Sequence, residues 1–349
     1  MEPGHETLHR EKQADDQPVE TDGVFIVIPA YRARASIRHV VDKALAFADR
    51  VIVVDDACPD RCSELVENYD ERVTLVRHSA NLGVGGATKT GIREALRMGA
   101  EFIVKVDSDD QMDVSFIPTM LHILRTQPEV DLVKGNRFAD PETIRTMPVE
   151  RLIGNAGLTF FVKFSTGYWS VVDPTNGFIA LRADAVAQST LERLANRYFF
   201  EIDLLCWFGL RRRVIAEVEM PAIYAGAHSS LSIGRILLDF PGRLLVRYLQ
   251  RLLINYVVVE INVGTLCAAL GIPALLAGLI YGSLQWYQSA ITHVPAATGV
   301  IVLALLLFTV GFQLTLQALL YDVQFATPTK KIRRDSHELR TMSRKDFLR

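Results

Sequence analysis

VFIVIPAYRARASIRHVVDKALAFADRVIVVDDACPD, Val24 to Asp60, decides the fold. Its two ends, Val24–Tyr31 and Val51–Ala57, are short, β-branched and almost wholly apolar, with no polar alternation. Runs of that kind are strands buried on both faces, as in parallel sheets. Pro29 stops the first run. Between the two, Ala35–Phe47 places Ile37, Val40, Val41, Ala44 and Leu45 on one side of a helix. A strand, a helix and a second strand at this spacing argue for a parallel sheet with helices on its faces.

The pattern continues along the chain. Cys62–Tyr69 reads as a helix, Val73–His78 as a strand and Thr88–Met98 as a helix. EFIVKVDSDD, from Glu101, reads as a fourth strand, followed by a helix over Ser115–Arg125 and a strand over Val130–Asn136. The predicted class is α/β: a doubly wound, Rossmann-like, mainly parallel sheet flanked by helices. Sheets of this class bind ligands beyond the carboxyl ends of their strands. The residues at those ends are Pro29-Ala30-Tyr31, Asp55-Asp56, Asp107-Ser108-Asp109 and Gly135-Asn136-Arg137.

Two acidic strand ends beside a Gly-rich turn and an arginine invite a chemical reading. Asp107 and Asp109 are two positions apart, and on a straight strand they share a face. Gln111 adds a neutral oxygen on the same parity. Carboxylate and carbonyl oxygens suit Mg²⁺ or Mn²⁺, and such ions usually also take substrate phosphates. Asp110 and Asp113 read instead as solvent-facing or helix-capping, since Asp113 precedes an apolar helix. Asp55 or Asp56 can accept hydrogen bonds from a ribose or a base edge. NLGVGGATKTG, Asn81–Gly91, has neither the GxGxxG spacing nor a Walker A, so it is either a close approach to a ligand or a plain tight turn. Cys58, Cys62, Cys206 and Cys267 form no disulfide framework in a chain this long. Cys58 and Cys62 lack a second Cys/His pair for zinc, and free thiols in a reducing compartment are expected.

The chain has 349 residues and a net charge of −2, which gives no nucleic-acid signature. Residues 1–22 read as a disordered polar tail without a signal peptide, and a cytosolic α/β unit is expected over 23–228. Residues 229–256 carry Leu237, Leu238, Leu244, Leu245, Tyr248, Leu249 and Leu252 among arginines at helical spacing, broken at Pro241. One or two amphipathic helices on an anionic membrane surface are expected, or a helix packed on the preceding domain. Residues 257–322 contain two uncharged apolar runs, about 261–281 and 296–320, long enough to span a bilayer. Arg243, Arg247 and Arg251 precede this hairpin, and Lys330, Lys331, Arg333 and Arg334 follow it. The positive-inside rule then places both flanks, both termini and a basic tail over 323–349 in the cytosol.

VIPAY, VVDDACPD, NLGVGGATKTG, VDSDDQ, GNRF, RLIGNAG, DPTNGFIALR and FFEIDLL, in that order and followed by the hairpin, resemble the family-two glycosyltransferases of the GT-A fold. Among these they are most similar to the polyprenyl-phosphate glycosyltransferases, the dolichol-phosphate mannose synthases and their bacterial relatives. DSDDQ resembles that family's D-x-D-x-Q metal motif. The resemblance implies a metal held by Asp107, Asp109 and Gln111. It implies a nucleotide-sugar pocket lined by Pro29, Ala30, Tyr31, Asp55, Asp56, Gly83, Lys89, Asp107 and Ser108. Arg137 and Arg151 would stabilise phosphates, and Asp173 would contact the sugar or organise the acceptor pocket; with Asp109 these are the implied catalytic residues. Ser229, Ser230, Ser232 and Arg235 would meet the acceptor phosphate. The family's Asn-Glu after the tyrosine is Arg32-Ala33 here, which leaves the base open between GDP-mannose and UDP-hexose donors.

The implied reaction is a metal-dependent, inverting transfer to a polyprenyl phosphate at the cytosolic membrane face, by an integral membrane enzyme that binds no nucleic acid. A homo-oligomer is compatible with this. A transferase acting on a sugar hydroxyl, with a base from Glu201 or Asp203, is the alternative within catalysis; no Q-x-x-R-W motif supports a processive synthase. A non-catalytic nucleotide-sugar scaffold is the alternative outside it.

Overall fold

The computed structural model describes residues 21–139, 149–186, 188–221, 233–327 and 329–332. Among the described residues eight strands form one sheet in the order β3-β2-β1-β4-β6-β5-β7-β8. They are β1 Val24–Ala30, β2 Arg50–Asp55, β3 Val73–Arg77, β4 Phe102–Lys105, β5 Val130–Asn136, β6 Ile179–Arg182, β7 Val214–Glu219 and β8 Thr329–Ile332. Only β6 runs antiparallel to its neighbours, β4 and β5. The parallel α/β class read from the sequence is therefore what the chain adopts.

The central strands are apolar throughout because helices cover both faces. Val24, Ile26 and Ile28 of β1 pack with α1 (Ile37–Leu45) and α3 (Ile117–Thr126) on one side. Phe25 and Val27 pack with α2 (Val84–Arg97) and α6 (Phe200–Leu210) on the other. Each such side chain, fully withdrawn from water, contributes about 1.5–3 kcal/mol before entropy is counted. Between β5 and β6 runs α4 (Val149–Thr166), and α5 (Gln188–Arg193) precedes α6.

Several expectations need correction. Cys62–Tyr69 is not a helix; only a 3-10 turn forms, over Cys62–Leu65. Asp55 holds this segment as a loop by accepting from the Cys58 N–H at 2.8 Å and from the Ser63 hydroxyl. The helix expected from Thr88 begins four residues earlier, at Val84, after Gly83 at φ 92°. The fourth strand ends at Lys105, so Asp107 and Asp109 lie in a turn, with Asp110 at φ 59°. Their shared parity along a straight strand does not apply.

The basic stretch around Pro241 is one unbroken helix, α7 (Ile233–Leu253), continued by a π-helical turn over Ile254–Val259. Pro241 removes a backbone donor, but Phe240 and Leu244 beside it anchor the helix on Val162, Phe199, Ile202 and Cys206. Two of its arginines face protein: Arg247 pairs with Asp203 at 2.6 Å and Arg251 with Asp322 at 2.8 Å. Leu245, Leu249 and Leu253 face outward, Leu249 being 54% exposed, while Leu244 faces the core.

The apolar hairpin consists of α8 (Val263–Thr292) and α9 (Thr298–Gln324), both longer than expected and both candidate membrane spans. Among the described residues, only glycines are buried on α8, and Gly311 and Asp322 on α9. A Cβ on Gly271 would meet the Thr315 nitrogen at 2.7 Å, and one on Gly278 or Gly311 would strike the partner backbone. Small residues let the two helices approach closely while leucines line the outside.

After the hairpin the described residues return to the sheet. Thr329–Ile332 adds β8 in parallel to β7. Lys330 pairs there with Glu129 and donates to Gln127 at 2.9 Å. Both ends of the hairpin are thus tied to the sheet domain.

Candidate functional site

The carboxyl ends of β1, β2, β4 and β5 meet along one edge, where β6 begins. Two buried lysines organise it. Lys105, the last residue of β4, is 1% exposed. Its ammonium donates to Asp107 at 2.6 Å, to Glu201 of α6 at 3.0 Å and to the Gly177 carbonyl at 3.3 Å. Burial alone would push this lysine down, but the two carboxylates outweigh it and hold Lys105 above the ordinary lysine value. Gly177 leaves the space: a Cβ there would lie 2.5 Å from the Lys105 nitrogen.

Lys134 of β5, equally buried, donates to the backbone carbonyl of Asp173. Burial lowers Lys134 against the opposing pull of Asp173 and Glu217. Burial also raises Glu217, whose carboxylate accepts the backbone N–H groups of Val172 and Asp173 at 3.1 and 3.3 Å. Asp173 itself accepts from Arg137 at 2.8 and 3.1 Å. Burial would raise that carboxyl, yet Arg137 beside it holds it below the ordinary aspartate value.

The third part is the Gly-rich turn. Asp56 accepts from the backbone N–H groups of Leu82 and Gly83 at 2.8 and 2.7 Å, and lies 2.8 Å from His78 Nδ1. His78 reaches Thr90 with its other nitrogen. Gly83 must be glycine twice over: its φ is positive, and a Cβ would meet the Asn196 carbonyl at 2.7 Å. The turn is thus built by Asp56 from below and by the 194–197 segment from the side.

The residues named from the sequence divide accordingly. Asp107, Ser108, Asp109 and Gln111 share the turn after β4, with Asp109 accepting the Gln111 N–H at 3.1 Å. Asp109 stands exposed at the rim. Desolvation by the surrounding turn, and then the charge of Asp107, raise its carboxyl above the ordinary aspartate value. Asp113 caps the next turn, as expected, accepting from the Ser115 N–H at 3.0 Å. Asp110, expected to face solvent, pairs with Lys43 at 2.9 Å. Tyr31 is 43% exposed at this edge, whereas Pro29 and Ala30 are buried in β1 and shape the strand end only.

Four other assigned residues make their contacts within the chain. Asp55 and Asp56 are both enclosed and spend their oxygens on the loops around them. Lys89 donates to the Leu194 carbonyl at 2.8 Å and ties α2 to that segment rather than facing a ligand. Asp173 has no exposed surface and anchors Arg137, as a residue that organises the pocket would. Ser229, Ser230 and Ser232 lie outside the described residues, as do the side chains of Arg151 and Arg235.

Lys105, Lys134, Glu217 and His78 were missed. The signal for the first three was present: each is a charge inside an otherwise apolar strand, in FIVKV, LVKGN and VIAEVE. Buried charges of this kind need partners, and the partners mark the site.

Residues 25–189 match glycosyl transferase family 2. The UDP-N-acetylglucosamine–dolichyl-phosphate N-acetylglucosaminyltransferase of Methanococcus voltae is 28% identical over 217 residues, 58% of this chain and 86% of that protein. The polyprenol monophosphomannose synthase of Mycolicibacterium smegmatis is 26% identical over 225 residues, 62% of this chain and 83% of its own length. The undecaprenyl-phosphate mannosyltransferase of Micrococcus luteus is 27% identical over 208 residues, 58% and 83% of the two chains.

Proposed function

A family 2 glycosyltransferase domain occupies residues 25–189, and from that premise we propose that the protein transfers a sugar from a nucleotide-diphosphate sugar to a polyprenyl phosphate at the cytosolic face of a membrane. The observation that carries this reading is a juxtaposition. The charged sheet edge and two candidate membrane spans belong to one packed unit, joined by Arg251, Asp322, Trp169 and Tyr256. The relatives named above supply the acceptor class.

A divalent cation fits the residues present. Asp107 and Asp109 bring two carboxylates into one turn with Gln111. Lys105 offsets only part of that charge. Asp107, Asp109 and Gln111 would hold Mg²⁺ or Mn²⁺, whose chemistry is neutralisation of the departing nucleotide diphosphate. Lys105 fixes the position of Asp107 against Glu201. Tyr31 offers an aromatic face for a base, with Arg32 5.5 Å above its ring. Arg137, held by Asp173, presents its guanidinium where phosphate oxygens gather. The acceptor phosphate is already anionic at neutral pH, so no strong base is required. One displacement inverts the anomeric carbon.

Glu201 favours a second reading. Lys105 holds its carboxylate inside the same site, where it is a base for a sugar hydroxyl acceptor. The test serves both readings. Membranes containing the protein are incubated with labelled GDP-mannose, UDP-glucose and UDP-N-acetylglucosamine, with polyprenyl phosphate and Mg²⁺ or Mn²⁺. Label in organic-extractable, mild-acid-labile lipid with β configuration supports the proposal. Acid-stable glycoside supports the hydroxyl acceptor, and transfer from no donor rejects both.

A further inference from the structure

Cys58 and Cys62 enclose Pro59-Asp60-Arg61 just beyond β2, outside the charged edge described above. Cys62 is fully buried and Cys58 sits at the rim, 9% exposed. Their sulfurs are 2.8 Å apart. With Asp55 they form a cluster whose donor atoms all lie within 4.8 Å of one another. Zinc explains this poorly. A tetrahedral ion with sulfurs at about 2.3 Å spreads them to roughly 3.8 Å, and both Asp55 oxygens already accept hydrogen bonds from Cys58 and Ser63.

The surroundings suit thiol chemistry instead. Asp60 accepts the Cys58 S–H at 2.7 Å, and the Arg32 N–H donates to the Cys58 sulfur at 2.9 Å. The Arg32 N–H is placed to stabilise negative charge on the Cys58 sulfur. Burial, with Cys58 adding to it, pushes the Cys62 thiol up and leaves it the resolving partner.

We propose that Cys58 and Cys62 are a reversible disulfide site oxidised by a peroxide. The Cys58 thiolate attacks a peroxide oxygen, the O–O bond breaks, and the leaving oxygen takes a proton as water. The Cys62 sulfur then attacks the resulting sulfenic sulfur, the S–S bond forms, and the S–O bond breaks to release a second water. Two thiols lose two electrons and two protons, and the peroxide is reduced to two waters. A dithiol reductant reverses the step by exchange.

Closing the sulfurs to about 2.05 Å moves the Cys58 sulfur that accepts the N–H of Arg32, a residue at φ 55° directly after Tyr31. Oxidation therefore reaches the donor side of the edge through one hydrogen bond. This consequence, unlike the site itself, rests on the glycosyltransfer reading.

Trypsin separates the two cysteines by cutting after Arg61, giving peptides 51–61 and 62–72. The full chain in detergent is treated with hydrogen peroxide, alkylated and digested. The expected product is the two peptides joined, two hydrogens lighter than their sum and separated again by dithiothreitol. C62S should lose the link, keep its melting temperature and leave Cys58 as a sulfenic acid trapped by dimedone. Both peptides recovered unlinked and alkylated, at a peroxide dose that already oxidises Met98 and Met112, overturns the proposal. So does one equivalent of zinc retained through dialysis by the wild type and lost in C58S. Because the linkage is read without any activity, it stands or falls apart from the glycosyltransfer reading. In the transfer assay the linked form should show a severalfold higher KM for the donor, with kcat less changed, restored on reduction and absent in C62S.

Discussion

The sheet edge and the hairpin solve opposite problems. At the edge, Lys105, Asp107, Glu201, Lys134, Asp173 and Glu217 place charge in or beside the core, each met by a partner from another element. In the hairpin nearly every side chain is apolar and faces outward, and contact is made by glycine. The edge is expensive to bury and rigid once paired; the hairpin is inexpensive and held by close backbone approach. Where they join, the hairpin borrows the edge's method. Arg251 donates to both oxygens of Asp322 at 2.8 Å and to the Phe164 carbonyl, while Tyr256 and Trp169 complete the carboxylate.

Substitutions can break that contrast. The largest expected effect is on chemistry: Asp109→Ala should lower sugar transfer by about 10²–10³-fold and leave the melting temperature near wild type, because this carboxylate stabilises no fold contact beyond its own turn. A non-catalytic scaffold would be untouched in its binding. Next is Lys105→Met, which leaves Asp107 and Glu201 facing each other without their cation. A loss of about 3 kcal/mol is expected, the low end for a broken buried pair because Asp107 is partly solvated, read from denaturant midpoints; a neutral result would mean the triad is not the organiser of the edge. Asp322→Ala strands Arg251 at the junction and should cost a similar amount in detergent, measured by thermal unfolding.

Gly278→Leu should cost about 1–3 kcal/mol by overpacking the hairpin, while transfer measured at low temperature persists. If it abolished transfer without lowering stability, the two regions would be coupled more tightly than their contacts imply.

The smallest effect is on pH. The native Asp173 carboxyl titrates below its unfolded value. Its contribution is therefore complete above the ordinary aspartate range near 4 and is lost as pH falls through the lower native value. Asp173→Asn should flatten that acid limb and reduce stability at neutral pH.

The first two strands, the helix between them and both apolar runs were legible because each depends on a local period. Asp113 was legible as a cap for the same reason. The Cys62–Tyr69 helix was misread because Asp55, seven residues upstream of Cys62, accepts from the Cys58 N–H and the Ser63 hydroxyl and holds the segment as a loop. The sequence reading of α7 found the helix and left open whether it lies on a membrane or packs on the preceding domain; Leu244, Arg247 and Arg251 pack on protein while Leu245 and Leu249 stay exposed. A sequence shows that arginines and leucines alternate, but Asp203 and Asp322 are 44 and 71 residues from their arginine partners.

By itself the sequence determined the α/β order, the acidic turn after β4 and the presence of a long apolar hairpin, since patterning, strand ends and hydropathy are properties of neighbouring residues. The tertiary structure alone decided which of those charges meet. It enclosed Asp173, spent Asp56 on a turn and set Lys105 between Asp107 and Glu201. It also brought residues 329–332 back to the sheet as β8 rather than leaving them as a tail. Pairing between residues tens to more than a hundred positions apart is set by how strands and helices order around a sheet, and no local period records that order.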